Sequence, residues 1–241
     1  MTALILQARL DSSRLPGKSM LPLGQSGFKD GACAGRPLIY RVMEALSGMP
    51  AASVFDEKIL ACPEDSVSVF EPLAQEAGFK LISGPKDDVL ARYCIAINKS
   101  GADRVIRATG DNPFVFNDAI IALNQEALSL GADYAGYSGL PHGAGVESVL
   151  SEALLRANRE ASDSYERENV CPYLYNNPGL FRLHRPLAPL KWQGPAMRIT
   201  VDTEEDWQRT LCLFQHLESL PPAERNLGEN VIAMYKKLIL P

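Results

Sequence analysis

Two hydrophobic periods alternate along this chain. Short apolar runs of strand length lie at Ala3–Gln7, Lys58–Ala61, Lys80–Ser83 and Arg104–Arg107. Between them, apolar residues recur at helical spacing over Leu38–Leu46, Val67–Ala77 and Val89–Lys99, with Pro37 suited to the first turn of the first helix. A fourth helix is predicted over Asn117–Leu130, with Asn117 as its N-cap and Gly131 as its stop. This succession predicts an α/β fold, a mostly parallel sheet sandwiched by helices.

The pattern is less regular further on. Tyr134–Gly145 is rich in glycine and reads as a loop or small excursion. A strand over Val146–Leu150 is followed by helices over Ser151–Ala161 and Glu166–Tyr175, the second stopped by Asn176-Asn177-Pro178-Gly179. Phe181–His184 and Met197–Val201 read as strands, and helices over Glu204–Leu217 and Leu227–Leu238 close the chain. The 241 residues show neither an internal repeat nor a low-complexity linker. One domain over 1–241 is expected, with the excursion around 134–195.

Charge and cysteine usage narrow the class. The net charge of -5 disfavours nucleic acid as a partner, since a phosphate polymer needs clustered cations. Five cysteines (Cys33, Cys62, Cys94, Cys171, Cys212) are scattered, with no Cys-x-x-Cys, and read as free thiols in a reducing compartment. Cys62 and Cys171 read as packing residues rather than nucleophiles. The three histidines lack metal-ligand spacing, and His142 sits in the glycine-rich loop, where a substrate contact and a passive role are equally open. No apolar run reaches membrane-span length, and Met1–Leu6 is too short and uncharged for a signal peptide, so a cytoplasmic protein without membrane partners is expected.

The chemistry concentrates at the first strand's end, in Gln7-Ala8-Arg9-Leu10-Asp11-Ser12-Ser13-Arg14-Leu15-Pro16-Gly17-Lys18. Arg9, Arg14 and Lys18 can pair with phosphate oxygens, and Gly17 lets the backbone approach closely. A P-loop does not fit, because Ser12 stands where its first glycine belongs and Pro22 and Gly24 oppose a helix starting at the lysine. A dinucleotide-binding Gly-x-Gly-x-x-Gly is absent.

In parallel sheets, ligands collect at the carboxyl ends of the strands. Besides the 7–18 loop, polar clusters fall there at Ala61–Asp65, Arg107–Pro113 and Arg198–Asp206. Asp111, between Gly110 and Pro113, is a candidate ligand for Mg²⁺, with a turn-forming role as the alternative. Asp202 is a second candidate, with the N-cap of the helix near Glu204 as its alternative role. Two carboxylates beside a cationic loop suggest metal-assisted phosphoryl or nucleotidyl transfer.

The pattern Gln-Ala-Arg-x-x-Ser-Ser-Arg-Leu-Pro-Gly-Lys at 7–18 resembles the cytidylyltransferases that make CMP-activated acidic sugars, above all the spore coat polysaccharide biosynthesis protein F branch. The blocks Gly84–Tyr93, Arg107–Pro113, Gly145–Glu147, Glu166–Glu168, Val170–Tyr173 and Arg198–Asp206 extend the resemblance across essentially the whole chain. It implies a nucleotide-diphospho-sugar transferase fold, GT-A-like and Rossmannoid, and transfer of CMP from CTP to a sugar hydroxyl with release of pyrophosphate for surface polysaccharide biosynthesis. Arg9, Lys18 and Asp111 would be catalytic. Gln7, Ala8, Arg9, Ser12, Ser13, Arg14, Gly17, Lys18, Gly84, Thr109 and Asp111 would bind the nucleotide. Asp88, Arg92 and Glu147 would meet the sugar, while Asp111 and Asp202 would hold Mg²⁺. Related enzymes are often dimers, which leaves a homodimer open.

The chain departs from that pattern in three places. Roughly ten extra residues follow Gly24 and read as a surface loop, with a flap over the site as the alternative, Asn169 replaces a histidine common in this branch, and Cys62 replaces a threonine. Two other readings of the same fold stand beside the cytidylyltransferase. One is a glycosyltransferase, although Asp111-Asn112-Pro113 lacks the second acid of an Asp-x-Asp motif. The other is a nucleotide-binding protein without catalysis.

Overall fold

The computed structural model describes residues 1–24 and 35–239; the glycine-rich stretch after Gly24 lies outside them except for its two ends. Among the described residues seven strands form the main sheet. In chain order they are β1 (Thr2–Gln7), β4 (Glu57–Pro63), β5 (Lys80–Gly84), β6 (Arg104–Thr109), β7 (Tyr134–Ala135), β8 (Glu147–Leu150) and β9 (Leu183–His184), since β2 (Pro22–Leu23) and β3 (Arg36–Pro37) pair only with each other. The spatial order is β5-β4-β1-β6-β8-β7-β9. Strands β5, β4, β1 and β6 are mutually parallel, and β8 enters antiparallel to both β6 and β7. The sheet is thus mostly parallel, as the alternation of periods predicts.

β1 lies at the centre because it is apolar on both faces. Successive side chains of a strand point to opposite sides. Leu4 and Leu6 pack with Leu60, Ile106 and the apolar side of α1 (Leu38–Ser47). Ala3 and Ile5 pack on the other face with Ile59, Val105 and α3 (Val89–Ser100). A third cluster, with Phe114, Phe116, Trp192 and Leu213, seats α8 (Glu204–Leu217) and α9 (Gly228–Ile239) against the segment after β6.

Four expectations are corrected. Asn117 is not an N-cap: it is the first residue of α4 (Asn117–Ser129), and its amide donates across to the Ala45 carbonyl at 3.1 Å. The helix expected over 166–175 is two, α6 (Ser164–Asn169) and α7 (Pro172–Asn176). Pro172 has no N–H with which to continue the first, and Val170 between them takes φ 75°. Tyr134–Ala135 is a sheet strand rather than loop, too short for its period to be legible. Met197–Val201 is not a sheet strand; it is tied to the His142 loop by bonds from His142 N–H to the Met197 carbonyl and from Ile199 N–H to the His142 carbonyl, both 2.9 Å.

That last tie positions the site. The Val201 N–H donates to the carbonyl of Asp111 at 2.9 Å, so the segment leading to Asp202 runs alongside the turn after β6.

Candidate active site

The loop after β1 crosses the carboxyl end of the sheet and turns at Gly17, whose φ of 68° favours glycine. A single 3-10 turn, Lys18–Met20, follows in place of a P-loop helix. The turn after β6 needs a glycine for a different reason. A Cβ at Gly110 would stand 2.8 Å from Ile39 Cδ1 and 2.9 Å from Ala8 Cβ, so the Asp111 turn can approach β1 only without a side chain there.

These two loops and the 198–206 segment enclose a cleft of about 390 Å³. At its polar edge Lys18 Nζ donates to Asp111 Oδ2 at 2.8 Å, to Asp202 Oδ1 at 2.9 Å and to the Val201 carbonyl at 2.7 Å. Arg14 reaches Asp202 Oδ1 at 3.0 Å. Asp202 Oδ2 accepts from Arg198 Nη2 at 2.6 Å. Burial pushes the Asp202 carboxyl up, but the hydrogen bond and charge of Lys18, with Arg14 and Arg198, hold it below its ordinary value.

Asp202 does not cap α8. Thr203 is the N-cap, its hydroxyl accepting from Asp206 N–H at 3.2 Å while Asp206 closes the box on Thr203 N–H at 3.1 Å. Asp202 is therefore free for the cleft. Asp206 is buried, and although burial pushes its carboxyl up, hydrogen bonds from Arg198 and Arg209 outweigh this and bring it down to about 2.

Gln7, Ala8, Arg9, Ser12, Ser13, Arg14, Lys18, Arg92, Thr109, Asp111 and Asp202 all line the cleft. Gly17, Gly84 and Asp88 do not. Gly17 shapes the loop, and Gly84 ends β5 against Arg92, where a Cβ would meet Arg92 Cγ at 3.2 Å. Asp88 caps α3, accepting from Ala91 N–H at 2.9 Å, and pairs with Arg167 at 2.6 Å. Glu147 belongs to an adjoining pocket of about 240 Å³ that shares Arg107, Thr109 and Asn112 with the cleft. There it binds Arg107 at 2.5 Å and the Tyr134 hydroxyl at 2.7 Å. The Ala61–Asp65 cluster stays outside the cleft; its Asp65 pairs with Lys86 at 2.9 Å, and Lys86 also pairs with Asp11 of the first loop.

Residues given no site role in the sequence also line the cleft: Arg107, Asn112 and Thr200 from the strand-end clusters, Glu168 from a resemblance block, and Asn169, the departure from the branch histidine. His142, left open in the sequence, lines it too. Glu168, Asn169 and Thr200 arrive from segments far along the chain, and nothing local to those segments shows that they meet the first loop. Gln7 Oε1, Asn112 Oδ1 and Arg107 Nε are buried without a partner among the described residues, which leaves polar capacity beside the cleft.

Asp111 and Asp202 approach one cation from two sides. Their oxygen-only donor set suits a hard divalent metal that takes its remaining ligands from phosphate and water. Among the described residues no group of three or more acidic, histidine or cysteine side chains could hold a metal by itself. No described helix is long and apolar enough to cross a membrane.

The mostly parallel sheet with its flanking helices is the nucleotidyltransferase fold shared with solved cytidylyltransferases. A Leptospira borgpetersenii cytidylyltransferase superimposes with a TM-score of 0.82 at 22% identity, covering 98% of this chain and 94% of that one. A CMP:2-keto-3-deoxy-manno-octonic acid synthetase complexed with CTP gives 0.62 at 19% identity, covering 91% and 99%. Residues 3–237 match the family model described as Cytidylyltransferase, and the chain belongs to that family. It is 30% identical over 224 residues to spore coat polysaccharide biosynthesis protein SpsF of Bacillus subtilis strain 168, spanning 90% of this chain and 88% of that protein.

Proposed function

We propose that the protein transfers CMP from CTP to a hydroxyl of an acidic sugar, releasing pyrophosphate, in the cytoplasm and for surface polysaccharide synthesis. The observation that carries this reading is Lys18 Nζ held between Asp111 and Asp202 beneath a cationic loop. Membership of the cytidylyltransferase family and the likeness to SpsF support it.

In the reaction, the acceptor oxygen forms a bond to the α-phosphorus, the bond from that phosphorus to the bridging β-phosphate oxygen breaks, and the hydroxyl proton leaves to solvent. Charge gathers on the phosphate oxygens, so cations fixed nearby contribute most to catalysis. Arg9 and Arg14 are suited to recruiting the triphosphate, because their side chains are 48% and 62% exposed. Among the described residues Arg9 has a 3.9 Å surface pair with Glu168 to give up, an interaction of little energetic weight. Lys18 is already anchored and can turn its ammonium toward the phosphates. Asp111 and Asp202 would hold Mg²⁺, whose chemistry is neutralisation of phosphate charge and acidification of the attacking hydroxyl. The partnerless acceptors Gln7 Oε1 and Asn112 Oδ1 suit an amino group such as cytosine presents. The pocket around Glu147 and Arg107 is placed to take the sugar.

The test is a thermal-shift panel of CTP, UTP, GTP and ATP, each with and without Mg²⁺, followed by pyrophosphate release with acidic sugars. Ligand at about a hundred times its dissociation constant stabilises by about 2.7 kcal/mol. Selective stabilisation by CTP with Mg²⁺ and pyrophosphate release are expected. Release of a nucleoside diphosphate from a sugar donor would instead make it a glycosyltransferase, and nucleotide binding without turnover a binding protein.

A further inference from the structure

Asp202 offers two carboxylate oxygens, and only one faces the cleft. Oδ1 meets Lys18 and Arg14, whereas Oδ2 is taken by Arg198 Nη2 at 2.6 Å. Arg198 is itself fixed from behind: its Nε donates to Asp206 Oδ1 at 2.9 Å and its Nη2 to Asp206 Oδ2 at 3.2 Å. Asp206 is 3% exposed and also accepts from the backbone N–H groups of Asp202 and Thr203, both at 3.1 Å. Arg209 Nη1 holds the same carboxylate at 2.8 Å. One buried carboxylate thus fixes both the backbone of Asp202 and the guanidinium that grips its side chain.

We propose that Arg198, anchored on Asp206, is a positioning residue that orients Asp202 so that Oδ1 faces the cation position. Arg198 touches neither nucleotide nor metal in this role. A planar guanidinium suits it because its fork bridges two carboxylates in fixed geometry, which a lysine ammonium does not reproduce. Groups that orient a metal's carboxylate ligands typically change metal affinity by about 10- to 100-fold when removed. The inference rests on the reading that Asp111 and Asp202 hold a divalent metal.

Electrostatics and orientation make opposite forecasts. Removing a cation beside Asp202 favours metal on charge alone, whereas releasing the carboxylate to rotate disfavours it. The proposal requires orientation to win.

The experiment is Mn²⁺ uptake in the presence of CTP, read from the electron paramagnetic resonance signal of free Mn²⁺, on the full chain. Arg198→Met is expected to weaken Mn²⁺ about tenfold or more, with Arg198→Lys recovering part of the loss. Arg209 still holds Asp206 in both variants, and a single cooperative melt, lowered by the loss of one Asp206 partner but well above the assay temperature, confirms folding. In an Asp202→Asn background, where Asp111 and the CTP phosphates still hold Mn²⁺, Arg198→Met is expected to add no loss, a result that general damage to the structure does not give. Unchanged or tighter binding in Arg198→Met overturns the inference, as does an equal loss in the Asp202→Asn background. Failure of the parent protein to take up Mn²⁺ with CTP overturns the underlying reading of the site, and this inference with it.

Discussion

Lys18 and Asp111, 93 residues apart in the chain, meet at 2.8 Å, and the same ammonium holds Asp202 at 2.9 Å. Three segments of the chain are joined at that one nitrogen. In the proposed reaction it is the point at which the cationic loop meets the two carboxylates.

Lys18→Met should lower CMP transfer by about a hundredfold or more, the scale of losing one preorganised charge at a reacting group. The fold should survive, because Arg14 and Arg198 remain on Asp202. Pyrophosphate release beside a thermal melt checks both points. Near-parental turnover by a folded Lys18→Met protein would remove the lysine from the reaction.

Glu147 and Arg107 form an ion pair whose side chains are only 20% and 16% exposed. Glu147→Ala strands the guanidinium, and about 3 kcal/mol of stability should be lost. Glu147→Gln should cost less, since it can still accept from the Tyr134 hydroxyl. Urea denaturation of the three proteins decides; equal midpoints for Glu147→Ala and the parent would refute the pairing.

Asp206 titrates at about 2 in the folded protein against an ordinary 3.8. A depressed carboxyl contributes stability that is fully present above about pH 4 and disappears as the pH falls toward 2, here about 2 kcal/mol. Asp206→Asn should therefore be less stable than the parent near neutrality and converge with it in acid. Unfolding free energies measured from pH 6 to pH 2 test the sign; a constant gap between the two proteins contradicts it.

Three thiols should be inert in the folded state. Burial pushes Cys62 up to about 11 and Cys94 to about 12, and raises Cys171 well above its ordinary value. At pH 8 only about one Cys62 in a thousand is then thiolate, the reactive form. Iodoacetamide treatment followed by peptide mapping should find these three unmodified until denaturant is added. Rapid labelling of Cys171 in the native protein would show a thiol more exposed than its burial allows.

Much of the cleft's first loop was legible because it is local. Arg9, Arg14, Gly17 and Lys18 lie within ten residues, directly after a strand whose four central residues are all apolar. Asp111 was legible for the same reason, at a strand end between Gly110 and Pro113. Asp88 and Gly84 were assigned to the site by resemblance, whereas the folded chain uses them to start α3 and to let β5 pass Arg92. Sequence position placed them near the sheet edge without revealing which way each faces.

The sequence by itself determined the alternation of strands and helices, the parallel core around β1 and the cationic make-up of the first loop. These depend on hydrophobic period and on turn residues within a few positions of one another. Only the tertiary structure decided that Asp202 is not the cap of α8 and lines the cleft, because that outcome turns on Thr203 and Asp206 closing the capping box between themselves. It also decided that the 197–201 segment leaves the sheet and pairs with the loop at His142, which brings Asp202 to Asp111. Contacts across 90 residues or more leave no period in the chain; they exist only once the packed core has fixed where each loop emerges.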